Sequence, residues 1–342
     1  MNETGEVGGS MSNSLWSRLQ AWRKLGKARP RNEDPEDVGG RQAERFLDAL
    51  VGSHFHFKDA DLYPNKRVPA GRRRREIDLI VVTPTRIHVI EVKNWSGTLA
   101  REGDRWVQTN RSGRRIEHPD LVADNRDKNL ALVDYLNAKG AGLDPRQAGT
   151  YLANKVVFMN PRLTIATPAI RENPDVLEYA RLQSYLKAQK RSTFGQAVLA
   201  SVAEWCLGAE GSGAFIEGRL GRLPPEKVRA ITEAVDELAT WDSLGFLGTK
   251  VLNGDLLALR VGGEEYRGDD LGRRTTIRVR WTRNRWLGLF KALTGLGKLG
   301  KVDLPGRRGL ALDPADTVLF HAVGDPQPSS LPLIEIDRIV LG

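Results

Sequence analysis

The chain has 342 residues, of which 40% are hydrophobic and 28% are charged, and its formal net charge is +9. These values are typical of a globular protein with two or three domains, and the positive charge favours a polyanionic partner. The single cysteine, Cys206, argues against disulfides and a cysteine-based zinc site, and no apolar run suits a signal peptide or a membrane span, so we expect a cytoplasmic protein without stable membrane insertion.

Residues 1–36 are expected to form a basic tail. Leu15, Trp16, Leu19 and Trp22 recur at helical spacing, with arginine and lysine residues around them. This pattern predicts a short amphipathic helix whose apolar side could bind a partner, nucleic acid or an anionic membrane. Packing onto the body of the protein and disorder are the alternatives.

A second helix is predicted from Arg41 to Val51, and Glu44 lies at the edge of its apolar stripe. That stripe consists of Ala43, Phe46, Leu47 and Leu50.

Four consecutive arginines precede the next predicted strand, namely Arg72, Arg73, Arg74 and Arg75. Guanidinium groups bind phosphate oxygens bidentately, and a protein that binds nucleic acid without sequence preference needs contacts with its backbone. The run therefore predicts a nucleic-acid-binding segment, with a solvated loop of charge as the alternative.

The next two strands form a predicted hairpin. The segments Glu76–Val82 and Ile87–Lys93 are short, rich in β-branched residues and almost continuously apolar, and Thr83–Arg86 separates them. Both segments nevertheless contain charged residues, which are expensive to bury.

The register of this hairpin follows from its turn. A turn centred on Thr83–Arg86 places Val82 opposite Ile87 and Asp78 opposite Glu91. Period-two alternation then assigns one face to Asp78, Ile80, Val82, Ile87, Val89, Glu91 and Lys93. The other face receives Ile77, Leu79, Val81, His88, Ile90 and Val92, which makes His88 a packed side chain rather than a ligand.

Asp78 and Glu91 are therefore two like charges on neighbouring strands, an arrangement that destabilises a sheet unless a cation lies between them. Mg²⁺ or Mn²⁺ would suit this position because both ions prefer carboxylate oxygens and water. Lys93, on the same face, could hold a nucleophilic water or neutralise a phosphate. The alternative is a solvated carboxylate pair with salt bridges to Lys93 and to nearby arginines.

Asp78 and the Glu91-Val92-Lys93 segment resemble the D…(D/E)-x-K core of the restriction-endonuclease-like nucleases. Within that superfamily the sequence resembles the nuclease-related domain family, NERD, over roughly residues 37–165. The segments that carry this resemblance are Gly40–Arg45, Glu76–Val82, Ile90–Gly97 and Asp104–Trp106.

The resemblance implies a metal-dependent nuclease that hydrolyses phosphodiester bonds in DNA. Asp78 and Glu91 would be ligands of Mg²⁺ (or Mn²⁺), Lys93 the catalytic lysine, and Glu44 the acidic residue of the first helix. An exposed helical glutamate is the alternative for Glu44. A catalytically inactive nucleic-acid-binding or sensing module is the alternative for the domain.

One motif departs from the family. The family has an Asn-Pro pair followed by a glutamine at the start of the next helix, whereas this chain reads His118-Pro119-Asp120 without that glutamine. Asn125 and Lys128 share a helical stripe in the predicted helix 121–138, so either could supply the missing polar contact.

The predicted fold is α/β, with a restriction-endonuclease-like mixed sheet flanked by helices in residues 37–170. A helical segment, 171–240, is expected to connect it to a small β-rich domain, 241–342, which could engage substrate or a protein partner. Strands are predicted at Ile277–Trp281, Thr317–Val323 and Leu333–Leu341. In the first of these strands, Arg278 and Arg280 could line a nucleic-acid groove or protect a solvent-facing edge.

Overall fold

The computed structural model describes residues 14–33, 35–54, 61–71, 73–144, 148–188 and 223–342. The chain divides into two compact units. The first unit is Pro35–Thr240, and the second combines Met1–Asp34 with Trp241–Gly342.

The elements of the described residues are as follows. The helices are α1 (Leu15–Leu25), α2 (Pro35–His54), α3 (Leu121–Ala138), α4 (Ala148–Tyr151), α5 (Pro168–Arg171), α6 (179–188), α7 (Pro225–Asp236) and α8 (Arg285–Thr294). The strands are β1 (Asp61–Ala70), β2 (Arg73–Val82), β3 (Ile87–Lys93), β4 (Gly97–Glu102), β5 (Arg105–Thr109), β6 (Arg115–His118), β7 (Leu152–Phe158), β8 (Leu163–Ile165), β9 (Val176–Glu178), β10 (Asp242–Phe246), β11 (Val251–Val261), β12 (Glu264–Arg267), β13 (Thr276–Trp281), β14 (Gly300–Leu304), β15 (Arg307–Leu312), β16 (Thr317–Ala322), β17 (Ser329–Pro332) and β18 (Ile336–Val340).

A five-stranded mixed sheet, in the order β1-β2-β3-β7-β9, forms the centre of the first unit. The pairs β1–β2 and β2–β3 are antiparallel, whereas β3–β7 and β7–β9 are parallel. Leu132 and Leu136 of α3 pack in a core cluster with Ile80 and Val89 of this sheet. Leu47 of α2 packs in a separate cluster with residues of β2 and β3 whose side chains lie on the other face of the sheet. The predicted α/β fold, a mixed sheet flanked by helices, is therefore confirmed.

The first unit also contains a smaller four-stranded sheet, in the order β6-β5-β4-β8. Its buried residues, including Leu99 and Trp106, pack with Phe158 of the central sheet and with Leu121 at the start of α3. Asp120 caps α3, because its Oδ1 accepts hydrogen bonds from the N–H groups of the first helical turn at 3.0 and 3.1 Å. The helix therefore begins where the sequence predicts.

The β2–β3 hairpin has the predicted register. Val82 pairs with Ile87, and the ladder continues in the same register to the pair Leu79–Ile90. Asp78 and Glu91 lie one step beyond this last pair. The turn closes through Thr83, whose N–H donates to the carbonyl oxygen of Arg86 at 2.9 Å.

Ile77 departs from the predicted assignment of faces. It packs with Val68 and Ile80 in the cluster of α3 and not with Leu79. The neighbouring strand is also irregular at this point, because Asn65 has a φ of 53° and the pair Asn65–Asp78 is missing from the β1–β2 ladder. The alternation of side chains along β2 is therefore interrupted between Ile77 and Leu79, and the prediction for Ile77 is wrong.

The predicted helical segment, 171–240, also contains a strand. Val176–Glu178 form β9, which is parallel to β7 at the edge of the central sheet. Helices α6 and α7 follow, and residues 189–222 lie outside the described residues. Ile231 and Val235 of α7 pack into the same core cluster as α3, so this helix is part of the first unit.

The second unit contains a nine-stranded sheet in the order β15-β14-β13-β18-β10-β11-β16-β17, with β12 paired to β11. This confirms the predicted β-rich C-terminal region. The strands predicted at Ile277–Trp281 and Thr317–Val323 are present as β13 and β16. The third predicted strand starts too early, because Leu333–Glu335 form a 3₁₀ turn before β18 begins.

The amphipathic helix predicted near the N-terminus is α1, which is part of the second unit. Ser14 caps it, accepting a hydrogen bond from the N–H of Ser17 at 3.2 Å. The indole Nε1–H of Trp22 donates to the carbonyl oxygen of Arg285 in α8 at 3.1 Å. In the described residues, no helix combines the length and apolar character needed to cross a bilayer.

Gly97, at the start of β4, allows the close packing of β4 against β5 in the smaller sheet to be tested by mutation. Its φ is 91°, and a Cβ atom there would lie 2.1 Å from the carbonyl oxygen of Thr109. We expect Gly97→Ala to lower the free energy of unfolding by about 2–4 kcal/mol, because it combines backbone strain with a clash against β5. Urea unfolding measures this change.

Gly103→Ala is the matched control. Gly103 also has a positive φ, 58°, but no heavy atom lies within 4 Å of its Cβ position. A similar loss of stability in both variants would show that backbone strain alone, and not the close approach of β4 to β5, explains the need for glycine.

Candidate active site

Asp78, Glu91 and Lys93 lie together at the end of the β2–β3 hairpin that is distant from the turn. Asp78 Oδ2 accepts a hydrogen bond from the N–H of Val92 at 2.7 Å. Lys93 Nζ donates to Glu91 Oε1 at 2.6 Å. The hairpin register therefore brings both predicted carboxylates and the predicted lysine to one place.

A second lysine, Lys128 of α3, contacts the same carboxylate. Its Nζ lies 2.6 Å from Glu91 Oε2, so each oxygen of Glu91 is bonded to one ammonium group. Glu91 is only 7% exposed and Lys128 8% exposed. Such buried charges require close partners, and the two lysines supply them. We call this arrangement of Glu91, Lys93 and Lys128 the lysine clasp.

The electrostatics of the two carboxylates differ. Burial and then repulsion by Glu91 raise the pKa of Asp78 from 3.8 to about 7. Burial also acts to raise the pKa of Glu91, but attraction and hydrogen bonds from Lys93 and Lys128 outweigh it, and the pKa of Glu91 is lowered. Asp78 is therefore the carboxyl group that resists ionisation, whereas Glu91 is held in its charged form.

Lys93 is held in its protonated form. Burial alone would lower its pKa, but the negative charge of Glu91, followed by that of Asp78, raises it above the ordinary value. Glu44 of α2 makes a smaller contribution of the same sign. The charge of Glu44 therefore acts on the site, as its position at the edge of the helical stripe suggests.

The polar network continues from the lysine clasp along α3. Lys128 Nζ lies 4.0 Å from a carboxylate oxygen of Asp124, which forms an ion pair with Arg75 of β2. Asp127 is a further neighbour of Arg75, at 3.8 Å. Arg75 is therefore linked to Glu91 through two residues of the same helix.

The other predicted arginines are less constrained. Arg74 is exposed on β2. Arg72 and the side chain of Arg73 lie outside the described residues.

Asn125 and Lys128, the two predicted substitutes for the missing glutamine, have different positions. The Nδ2 group of Asn125 donates to the carbonyl oxygen of Val89 at 3.1 Å and to Asn154 Oδ1 at 2.7 Å. Asn125 thus connects α3 to strands β3 and β7. Lys128, three residues along the same stripe, is the one that contacts the carboxylate.

Two aromatic side chains near Lys93 were not predicted. The rings of Trp95 and His118 stack with their centroids 3.9 Å apart. Burial and the nearby charge of Lys93 lower the pKa of His118. The Trp95-Ser96-Gly97 and His118-Pro119 motifs contained the residues, but nothing in the sequence indicated that the two rings meet.

His88, expected to be a packed side chain, is buried on the face opposite to the carboxylates. Its Nδ1 lies 2.9 Å from the hydroxyl of Tyr185, and burial, followed by the charges of Arg86 and Lys155, lowers its pKa to about 3. This confirms the prediction for His88.

The donor set of Asp78 and Glu91 suits a divalent cation, with one condition that concerns Glu91. Asp78 makes one hydrogen bond in the described part of the chain, and its raised pKa indicates that a cation beside it would relieve electrostatic repulsion. Glu91 would have to release one lysine before it could coordinate. No group of three or more His, Cys, Asp or Glu side chains in the described residues is close enough to hold a metal, so water would complete the shell.

Comparison with known proteins finds a family match within this unit. Residues 37–159 match the family model of the nuclease-related domain, NERD. This match agrees with the family that the motifs predict, and the matched residues include Glu44 and all the residues of the lysine clasp.

The chain is also 33% identical over 101 residues to the probable kinase PglW of Streptomyces coelicolor (strain ATCC BAA-471 / A3(2) / M145). That match covers 29% of this chain but only 6% of the length of PglW. No solved structure matches the chain at a significant level.

The raised pKa of Asp78 gives a prediction for stability without metal. Between pH 3.8 and about 7 the unfolded chain loses the Asp78 proton while the folded chain retains it, so this group lowers stability as the pH rises. Asp78→Asn removes this effect. In EDTA we expect the variant to be more stable than the wild type at pH 8, by up to about 4 kcal/mol, and the gain to vanish near pH 4.

Urea unfolding at several pH values measures this difference. Asp134→Asn, on the exposed side of α3, is the control and should change stability little at either pH. A stability gain in Asp78→Asn that does not vary with pH would contradict the electrostatic explanation.

Proposed function

We propose that the nuclease-related domain hydrolyses phosphodiester bonds in DNA, with Mg²⁺ or Mn²⁺ held by Asp78 and Glu91. The observation that carries this proposal is the position of both carboxylates and Lys93 at one end of the β2–β3 hairpin. Two carboxylates can hold the divalent ion on which metal-assisted phosphodiester hydrolysis depends, and a nearby lysine can stabilise negative charge on the phosphate. A bound divalent ion would supply Lewis-acid activation of the phosphate and of a water molecule.

Lys93 has an electrostatic role in this proposal. Its raised pKa keeps it protonated, so it can donate hydrogen bonds to a phosphate oxygen or a water but cannot accept a proton. Its positive charge would be most valuable when negative charge accumulates on the phosphate in the transition state. Glu44 helps to keep Lys93 charged, and Lys128 orients Glu91.

The proposed path of the nucleic-acid backbone includes Arg72, Arg73, Arg74 and Arg75. Arg74 is exposed on β2 and needs no rearrangement to contact a phosphate. Arg75 would have to exchange Asp124 for the phosphate, or else serve to fix α3 beside the site. Trp95 and His118 add a stacked aromatic pair close to Lys93, which suits contact with an unpaired base.

The lysine clasp also favours a second function, a catalytically inactive nucleic-acid-binding or sensing module. Both oxygens of Glu91 are bonded to ammonium groups, which can replace a metal as the positive charge in the site. In that case the domain would bind nucleic acid through its basic residues without cleaving it.

A cleavage assay with variants separates these functions. The substrates are labelled single-stranded and double-stranded DNA and RNA, in Mg²⁺, in Mn²⁺ and in EDTA. We expect wild-type cleavage of DNA only with metal, and a loss of about a thousandfold or more in Glu91→Gln, because this substitution removes a ligand charge. Lys93→Ala should lose a similar factor in rate while keeping its affinity for Mn²⁺, since Lys93 does not coordinate the ion.

Glu102→Gln is the matched control, because Glu102 is an exposed glutamate of the same unit that pairs with Arg115 at 2.7 Å. It should cleave like the wild type. Binding of DNA without cleavage in any metal would support the inactive module, and cleavage by Glu91→Gln at the wild-type rate would refute the assigned site.

A further inference from the structure

Helix α8 in the second unit is oriented with its small residues inward and its large apolar residues outward. Gly288 and Ala292 are buried, and a Cβ atom on Gly288 would lie 3.0 Å from the ring of Trp22. The large side chains point to solvent. They are Trp286 (82% exposed), Leu287 (49%), Phe290 (54%), Leu293 (52%) and Leu296 (66%), and we call them the α8 ridge.

Such a ridge is unusual on a protein surface. Scattered apolar side chains are common at surfaces, but a contiguous set of large ones marks a site of interaction. Positions 286, 290 and 293 follow one another at helical spacing, and 287 lies beside them, so these side chains share one side of α8. Since Trp22 occupies the opposite side, α8 cannot bury the ridge against α1 as well.

The chain around the ridge is strongly basic. The segment 14–32, which contains α1, has six arginine or lysine residues, and the segment 283–302, which contains α8, has five. Neither segment contains an aspartate or glutamate. Where α1 meets the start of α8, a hollow of about 270 Å³ is lined in part by Arg23, Lys27, Arg283 and Arg285.

We propose that the α8 ridge and the basic residues around it bind the surface of an anionic lipid bilayer. This function goes beyond phosphodiester hydrolysis and does not depend on it. The apolar side chains would enter the boundary between head groups and acyl chains, and the arginines and lysines would contact the lipid phosphates. Trp286, the most exposed residue of the ridge, has the amphipathic ring that is favoured at this boundary.

Charge and shape favour a bilayer over other occupants. A second copy of the same surface would bring two sets of basic residues together, and their repulsion would oppose a dimer. Nucleic acid would satisfy the basic residues but would leave Leu287, Phe290 and Leu293 in water. A bilayer accommodates both, and α8, at 10 residues and about 15 Å, is suited to lie in the interface and not to cross it.

Vesicle flotation of the full chain, without metal or DNA, tests this proposal. One set of vesicles contains phosphatidylcholine alone, and the other contains about 30% phosphatidylglycerol. We expect the wild type to float with the anionic vesicles and not with the neutral ones. The double variant Trp286→Ser/Phe290→Ser should lose about tenfold or more of this partitioning, because it removes two large apolar groups.

Lys27→Glu/Arg285→Glu tests the basic component and should also bind anionic vesicles at least about tenfold more weakly. Val323→Ser is the matched control, since Val323 is a 52% exposed apolar residue of the same unit, and it should bind like the wild type. Leu296→Ser, outside the helix, provides a second apolar variant if the double variant does not fold, and it should weaken binding.

Three results would overturn the proposal. The first is failure of the wild type to float with anionic vesicles. The second is undiminished flotation of Trp286→Ser/Phe290→Ser and of Leu296→Ser, which would make the binding purely electrostatic. The third is a wild-type dimer that these apolar substitutions dissociate without any vesicle binding, which would assign the ridge to contact between copies of the chain.

Discussion

The arrangement of the first unit depends on one constraint: the two carboxyl groups of Asp78 and Glu91, at the ends of neighbouring strands, need positively charged partners. The β2–β3 register brings Asp78 and Glu91 close to each other, and neither is well solvated. Lys93 and Lys128 neutralise Glu91, whereas Asp78 remains with a raised pKa. The unit can fold with this site in place, and the binding of a further cation beside Asp78 would still be favourable.

The capping, packing and hydrogen bonds of α3 hold Lys128 in place. Lys128 reaches Glu91 because α3 begins at the Asp120 cap and packs its Leu132 and Leu136 against the central sheet. Asn125 fixes the same helix to β3 and β7 through hydrogen bonds. If Glu91 turned toward a cation, Lys128 would retain a carboxylate neighbour in Asp124, 4.0 Å away. The packing of α3 and the hydrogen bonds of Asn125 therefore together determine where the positive charge of Lys128 lies in the site.

The sequence predicted those features that depend on local pattern. Period-two alternation and one short turn were enough to give the pairing of Val82 with Ile87. Helical spacing indicated Asn125 and Lys128 as candidates for a contact with the site, but only the structure shows that Lys128 makes it. The assignment of Ile77 failed because it assumes strict alternation through Asp78, and the strand is irregular at that point, where the β1–β2 ladder lacks the pair Asn65–Asp78. Two further features could not be predicted from the sequence. They are the ion pair of Arg75 with Asp124 and the outward direction of the α8 ridge, and each depends on which side of a helix the rest of its unit buries.

A crystal structure of the protein in saturating Mn²⁺, with the metal located by its anomalous scattering, would test the central claim most directly. We predict an ion within about 2.0–2.3 Å of oxygens of both Asp78 and Glu91, with at least one of the two lysines of the clasp no longer bonded to Glu91. An empty site with both lysines still bonded to Glu91 would contradict the account and would make the clasp itself the permanent source of positive charge.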